Sequence, residues 1–145
     1  MRHEDALKRL VDYWERLTPE GVERLGEVYA GDAYFKDPFN EVTGLAAIQC
    51  VFRHMFETLH EPRFTILETV LQENGAMLVW DFDFRIRSLQ PTKPRRIHGA
   101  SHIRFAPDGR VAYHRDYWDA ANELYAGLPV VGRLMRFLAR RMRAR

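Results

Sequence analysis

Tyr29-Ala30-Gly31-Asp32-Ala33-Tyr34-Phe35-Lys36-Asp37-Pro38-Phe39 contains a short apolar strand, Ala33 to Lys36, that runs straight into Asp-Pro. Proline biases the residue before it toward an extended backbone and ends the strand there. Asp37 is then a carboxylate among Tyr34, Phe35 and Phe39. Rings solvate a charge poorly, and carboxylates in such settings serve as proton acceptors. The plainer alternative is that Asp-Pro opens a surface turn, as Asp often does through its own side chain. The segments on either side decide between the two.

Upstream, Ala6, Leu7, Leu10, Val11, Trp14 and Leu17 recur at helical spacing and predict a first helix. Thr18-Pro19-Glu20 starts a second, with Thr18 as N-cap and Pro19 at the first helical position. That helix turns Val22, Leu25 and Val28 inward and stops near Gly31. Downstream, Gly44 to Leu59 reads as a third helix, with Ile48, Val51, Phe52, Met55, Phe56 and Leu59 on its apolar side.

Strand patterns follow. Arg63 to Gln72 is rich in β-branched residues and ends at Glu73-Asn74-Gly75, a hairpin signal. Ala76 to Arg87 alternates, with Trp80, Phe82, Phe84 and Ile86 facing one way and Asp81, Asp83, Arg85 and Arg87 the other. Arg96 to Phe105 sets Gly99, Ser101, Ile103 and Phe105 against His98, Ala100, His102 and Arg104. Pro107-Asp108-Gly109 turns into a last strand, Arg110 to Trp118, with Ala112, His114, Asp116 and Trp118 on one face. A C-terminal helix begins at Asp119, breaks near Gly127 to Pro129, and resumes. Helices gathered ahead of an antiparallel meander predict an α+β domain with the helices on one face of a curved sheet.

A length of 145 residues fits one such domain, and the nine Phe, six Tyr and three Trp predict a core or cavity lined with rings. The single cysteine, Cys50, excludes an intrachain disulfide and reads as buried filler in the third helix. No Cys/His spacing suggests a metal site, and no metal or other cofactor is expected. The start of the chain is charged and no run approaches a membrane span, so a cytoplasmic location is expected.

The net charge of +2 hides an asymmetry. Arg133, Arg136, Arg140, Arg141, Arg143 and Arg145 lie in the last segment; without these six the 22 basic residues fall to 16 against 20 acidic ones, net −4. The basic balance therefore belongs to one helix and does not argue for a nucleic-acid partner. Val130, Val131, Leu134, Phe137, Leu138 and Met142 make its other side apolar. Such a helix covers a neighbouring surface with its arginine stems, or lies on an anionic membrane. The chain divides accordingly into a body, residues 1–128, and a basic amphipathic extension, residues 129–145.

The element order and the "YAGDAYFKDPF…G" segment resemble the nuclear transport factor 2-like superfamily. That cone-shaped α+β fold includes ketosteroid isomerase, SnoaL-like polyketide cyclases and limonene-epoxide hydrolase. The likeness to ketosteroid isomerase extends to about Asp119. It implies that Asp37 is the general base, that Tyr13 hydrogen-bonds the developing enolate, and that Trp118 lines the ligand pocket. Where the isomerase has a protonated aspartic acid as second oxyanion donor, this chain has Ser101, a weaker donor. Losing an oxyanion donor raises a barrier by about 2.7–4 kcal/mol.

If Trp118 faces the cone interior, alternation brings His114 and Asp116 with it. Paired carboxylates and a histidine around one cavity can divide acid and base roles; SnoaL-like cyclases look similar in using an aspartate and a histidine on late strands. The alternatives are a structural His114–Asp116 pair and a Tyr13 that only packs. An epoxide hydrolase Asp-Arg-Asp set is not supported, since Arg104 and Arg115 alternate to the opposite face. The expected pocket wall is Trp80, Phe82, Phe84, Phe39, Trp14, Phe56 and Trp118. Rings with few polar partners select an apolar ligand, and the resemblance implies a steroid- or polyketide-like carbonyl compound and a homodimer through the outer sheet face. The competing expectation is a non-catalytic binding or dimerisation module on the same fold.

Overall fold

The computed structural model describes residues 2–144. Helix α1 (His3–Glu15) buries Ala6, Leu7, Leu10 and Trp14, the face expected from their spacing. The Thr18 side chain accepts the Gly21 N–H at 3.0 Å and Pro19 opens α2 (Pro19–Val22). This helix is a single turn, followed by a 3₁₀ turn at Leu25–Glu27, where a helix reaching toward Gly31 was expected. Gly21 and Gly26 weaken helix propagation, and the chain is claimed early by the sheet.

Strand β1 (Tyr29–Lys36) starts four residues before the apolar core of its pattern. Its first residue pairs in parallel with Val111, and the Val28 carbonyl accepts the Val111 N–H at 2.8 Å. A three-residue strand, β2 (Glu41–Thr43), folds back on β1. Gly44 follows at φ +101°, in the region that favours glycine, and its N–H bonds the Ala33 carbonyl at 2.8 Å. Helix α3 (Leu45–Thr58) buries Ile48 and Phe52; Cys50, expected inside, is exposed on its outer side.

Strands β3 (Leu59–Gln72), β4 (Gly75–Ile86), β5 (Arg95–Phe105) and β6 (Val111–Trp118) form the antiparallel meander. The sheet order is β2-β1-β6-β5-β4-β3, with β1–β6 its parallel pairing. α1 and α3 cover the concave face of this curled sheet, giving the expected α+β cone. Trp80, Phe82 and Phe84 of β4, Ile97, Ser101 and Ile103 of β5, and Val111 and His114 of β6 are all buried there. At the C-terminal end come α4 (Ala120–Glu123), a 3₁₀ turn at Tyr125–Gly127 and α5 (Pro129–Met142). Arg145 lies outside the described residues.

Candidate active site

Inside the cone is a cavity of about 350 Å³. Its wall is mostly rings: Phe35 from β1, Phe52 from α3, Phe64 from β3, Trp80, Phe82 and Phe84 from β4, and Trp118 from β6. Leu124 and the exposed ring of Phe39 stand at its opening. Phe39 meets Trp118 edge-on at 5.7 Å and Tyr125 at 6.4 Å. Polar groups are few: Asp37, Asn40, His54, Thr58 and Asp116.

A continuous hydrogen-bonded chain reaches this cavity from the core. The Trp14 indole N–H donates to the Tyr29 hydroxyl at 3.1 Å, and that hydroxyl lies 2.7 Å from Nδ1 of His114. Nε2 of His114 lies 2.6 Å from Oδ1 of Asp116. From the other side, the Trp80 indole N–H donates to Ser101 Oγ at 2.9 Å, and Ser101 donates to the same carboxylate oxygen at 2.5 Å. One proton arrangement satisfies every group: Tyr29 O–H donates to Nδ1, and Nε2–H of a neutral imidazole donates to the carboxylate. Among the described residues no group donates to Oδ2 of Asp116, and this residue lines the cavity.

The fold creates this chain by register. Phe35 pairs with His114 across the parallel β1–β6 contact, and Ser101 pairs with Asp116 across β5–β6. His114 is wedged among Trp14, at 5.0 Å between centroids, Phe35 at 4.7 Å and Tyr29 at 5.9 Å. Burial is the main cause that pushes the Tyr29 phenol well above its usual range, and the nearby Asp116 adds to it. Tyr29 therefore keeps its proton and donates it toward His114.

The expected site residues divide into those brought together and those held apart. His114, Asp116 and Ser101 converge, with Trp118, Trp80, Phe82, Phe84 and Phe39 around the same cavity. Ser101 was expected to face a substrate oxygen, but its hydroxyl is committed to Asp116. Asp37 is at the mouth, yet its Oδ1 accepts the Phe39 and Asn40 N–H groups at 2.9 and 2.7 Å and Asn40 Nδ2 at 3.1 Å. Asp37 thus caps the loop and also lines the opening.

Tyr13 requires a correction. Its hydroxyl donates to the Gly21 carbonyl at 2.7 Å and it lines a surface groove with Arg9, Arg16 and Arg24, away from the cavity. Burial pushes its phenol up to about 12. Trp14 and Phe56 also stand outside the cavity wall; both line a groove beside Phe64. Trp14 acts instead through its N–H to Tyr29. The residue that sequence reasoning missed is Tyr29. Extending the inward alternation of Phe35 and Ala33 back past Gly31 reaches it, but the strand was expected to begin only at Ala33. Arg115 and Arg104 lie on the outer face, over the Tyr117 and Tyr113 rings. Among the described residues, no three His, Cys, Asp or Glu side chains converge as metal ligands.

Residues 8–114 match the family model described as SnoaL-like domain. No curated protein sequence matches the chain. Among solved structures, a hypothetical protein with a ketosteroid isomerase-like fold from Catenulispora acidiphila, in complex with trimethylamine, superposes with a TM-score of 0.71 at 17% identity, over 86% of this chain and 93% of that one. An LEH-like epoxide hydrolase from M. tuberculosis gives 0.67 at 15% identity, over 94% of this chain and 92% of that one. A protein described as a SnoaL-like polyketide cyclase from Jannaschia sp. gives 0.68 at 13% identity, over 81% and 85% respectively. At these identities the likeness is one of fold.

Proposed function

This chain belongs to the SnoaL-like domain family of the nuclear transport factor 2-like superfamily, and on that footing we propose that it catalyses cofactor-independent proton transfer on a hydrophobic carbonyl compound. The observation that carries this reading is the carboxylate of Asp116. One oxygen is held by His114 and Ser101, and the residue lines a ring-walled cavity. In the proposed step, Oδ2 removes a proton from the carbon next to a carbonyl. The electron pair shifts toward the carbonyl oxygen, and the proton returns from Asp116 at the same or a conjugated carbon. His114, its tautomer set by Tyr29, keeps Oδ1 occupied so that Oδ2 is the oxygen left for chemistry. The ring wall suits a steroid- or polyketide-like skeleton.

Proton exchange into deuterium oxide at the α-carbon of a panel of cyclic enones and aromatic polyketide ketones tests this directly. Asp116→Asn should lower the exchange rate by roughly 10²–10⁴-fold. Exchange that survives this substitution undiminished would assign the base elsewhere.

One observation favours a second reading, a non-catalytic binder of apolar ligands. The hydroxyls of Tyr29, Ser101 and Thr58 are all engaged with protein acceptors, which leaves none of the three over the cavity to hold an enolate. Ligands that raise the melting temperature yet show no exchange in any member of the panel would support it.

A further inference from the structure

Helix α5 carries its apolar side outward. Val130, Val131, Leu134, Phe137, Leu138 and Met142 share that side, and their exposures run from 41% to 85%. The side that meets the body is a different one. Gly132 is buried, a Cβ added there would meet the Ala126 carbonyl oxygen at 2.6 Å, and Arg136 Nη1 donates to the same oxygen at 2.6 Å. At helical spacing Gly132, Arg136 and Ala139 fall together, away from the leucines and Phe137. A contiguous apolar face of this kind marks an interaction surface.

Charge selects the occupant. Residues 129–144 hold Arg133, Arg136, Arg140, Arg141 and Arg143 and no acidic residue. Packing α5 against α5 of a second copy would bring these arginines together with nothing on either helix to offset them. An anionic bilayer offers acyl chains to the apolar side and phosphates to the arginines at once. No helix among the described residues is long and apolar enough to cross a membrane, and α5, at 14 residues, is too short to span one.

The helix also sits beside the cavity mouth. It follows directly on the turn whose Tyr125 meets Phe39 edge-on, and Leu124, one residue earlier, lines the opening. We propose that α5 docks on an anionic membrane surface and holds the cavity mouth there, so that an apolar ligand enters from the lipid. The entry route rests on the reading of the cavity as an apolar-ligand site; the docking does not.

Flotation of the full chain with vesicles of phosphatidylcholine alone, or mixed with phosphatidylglycerol, tests the docking with no ligand present. Binding is expected only with phosphatidylglycerol and should fall as salt screens it. Arg133→Gln and Arg140→Gln should each weaken binding roughly fivefold. Leu134→Glu with Phe137→Glu, both exposed positions, should abolish it while circular dichroism is unchanged. Absence of binding, equal binding to both vesicles, or binding that survives the double glutamate variant would overturn the proposal. So would sedimentation showing an oligomer that the glutamate variant dissolves, with no vesicle binding; a second copy would then cover the face. Failure here leaves the proton-exchange assay untouched, and failure of that assay leaves vesicle binding untouched.

Discussion

Two aspartates at one cavity differ in what their oxygens are free to do. Asp37 spends both oxygens on the turn it caps, Oδ1 on the Phe39 and Asn40 N–H groups and Oδ2 on Asn40 Nδ2 at 3.3 Å, whereas Asp116 is gripped through one oxygen from the back. Asp37→Asn should therefore destabilise the loop by about 1 kcal/mol and change exchange far less than Asp116→Asn; denaturant midpoints and rates measured side by side check this. Tyr29 sets a second expectation. Its phenol, and that of Tyr13 at about 12, are raised above their ordinary value by burial. The unfolded chain loses these protons near pH ~10 while the folded one keeps them. Stability is thus fully present below pH ~10 and falls as pH rises from there toward the folded values. Tyr29→Phe should flatten that alkaline slope in urea melts taken across pH. It should also lower stability by about 1–3 kcal/mol for each partner left unmatched, Trp14 Nε1 and His114 Nδ1.

The elements succeed or fail as supports for those side chains. Gly99 on β5 shows how tightly they are fitted: a Cβ there would lie 2.7 Å from the Trp80 ring and 3.0 Å from Trp118 Cβ. Gly99→Ala should push Trp80 off Ser101 and cost about 1–3 kcal/mol, read as a lower melting temperature together with a weaker hold on Asp116 in the exchange rate. The Thr18 cap is the gentler case; Thr18→Ala should cost about 1 kcal/mol without touching exchange, because α2 is remote from the cavity. Elements with long regular patterns were legible. The alternations of β4, β5 and β6 set Trp80 with Phe82 and Phe84, Ser101 with Ile103, and His114 with Trp118, and Trp80, Ser101 and His114 are buried. The short pieces were not. β2 has three residues and no periodicity to read, and the second helix was overextended because glycine positions and a competing strand outweigh its cap.

For the whole molecule, a ring-lined cavity predicts ligand-linked stability. An apolar ligand at about 100 times its dissociation constant should add about 2.7 kcal/mol, seen as a higher melting temperature that Trp118→Ala diminishes. The sequence by itself determined the α+β class, the inward faces of the meander and the amphipathic α5, because these follow from periodicity within one segment. Tertiary structure alone decided which tyrosine meets His114. The family resemblance put Tyr13 there, but the parallel β1–β6 pairing, between segments some eighty residues apart, brings Tyr29 to His114 and leaves Tyr13 bonded to Gly21. It also decided how Asp116 is held: Asp37 is capped by Phe39 and Asn40 just along the chain, whereas Asp116 is gripped by Ser101 from a neighbouring strand, a partner that no local pattern encodes.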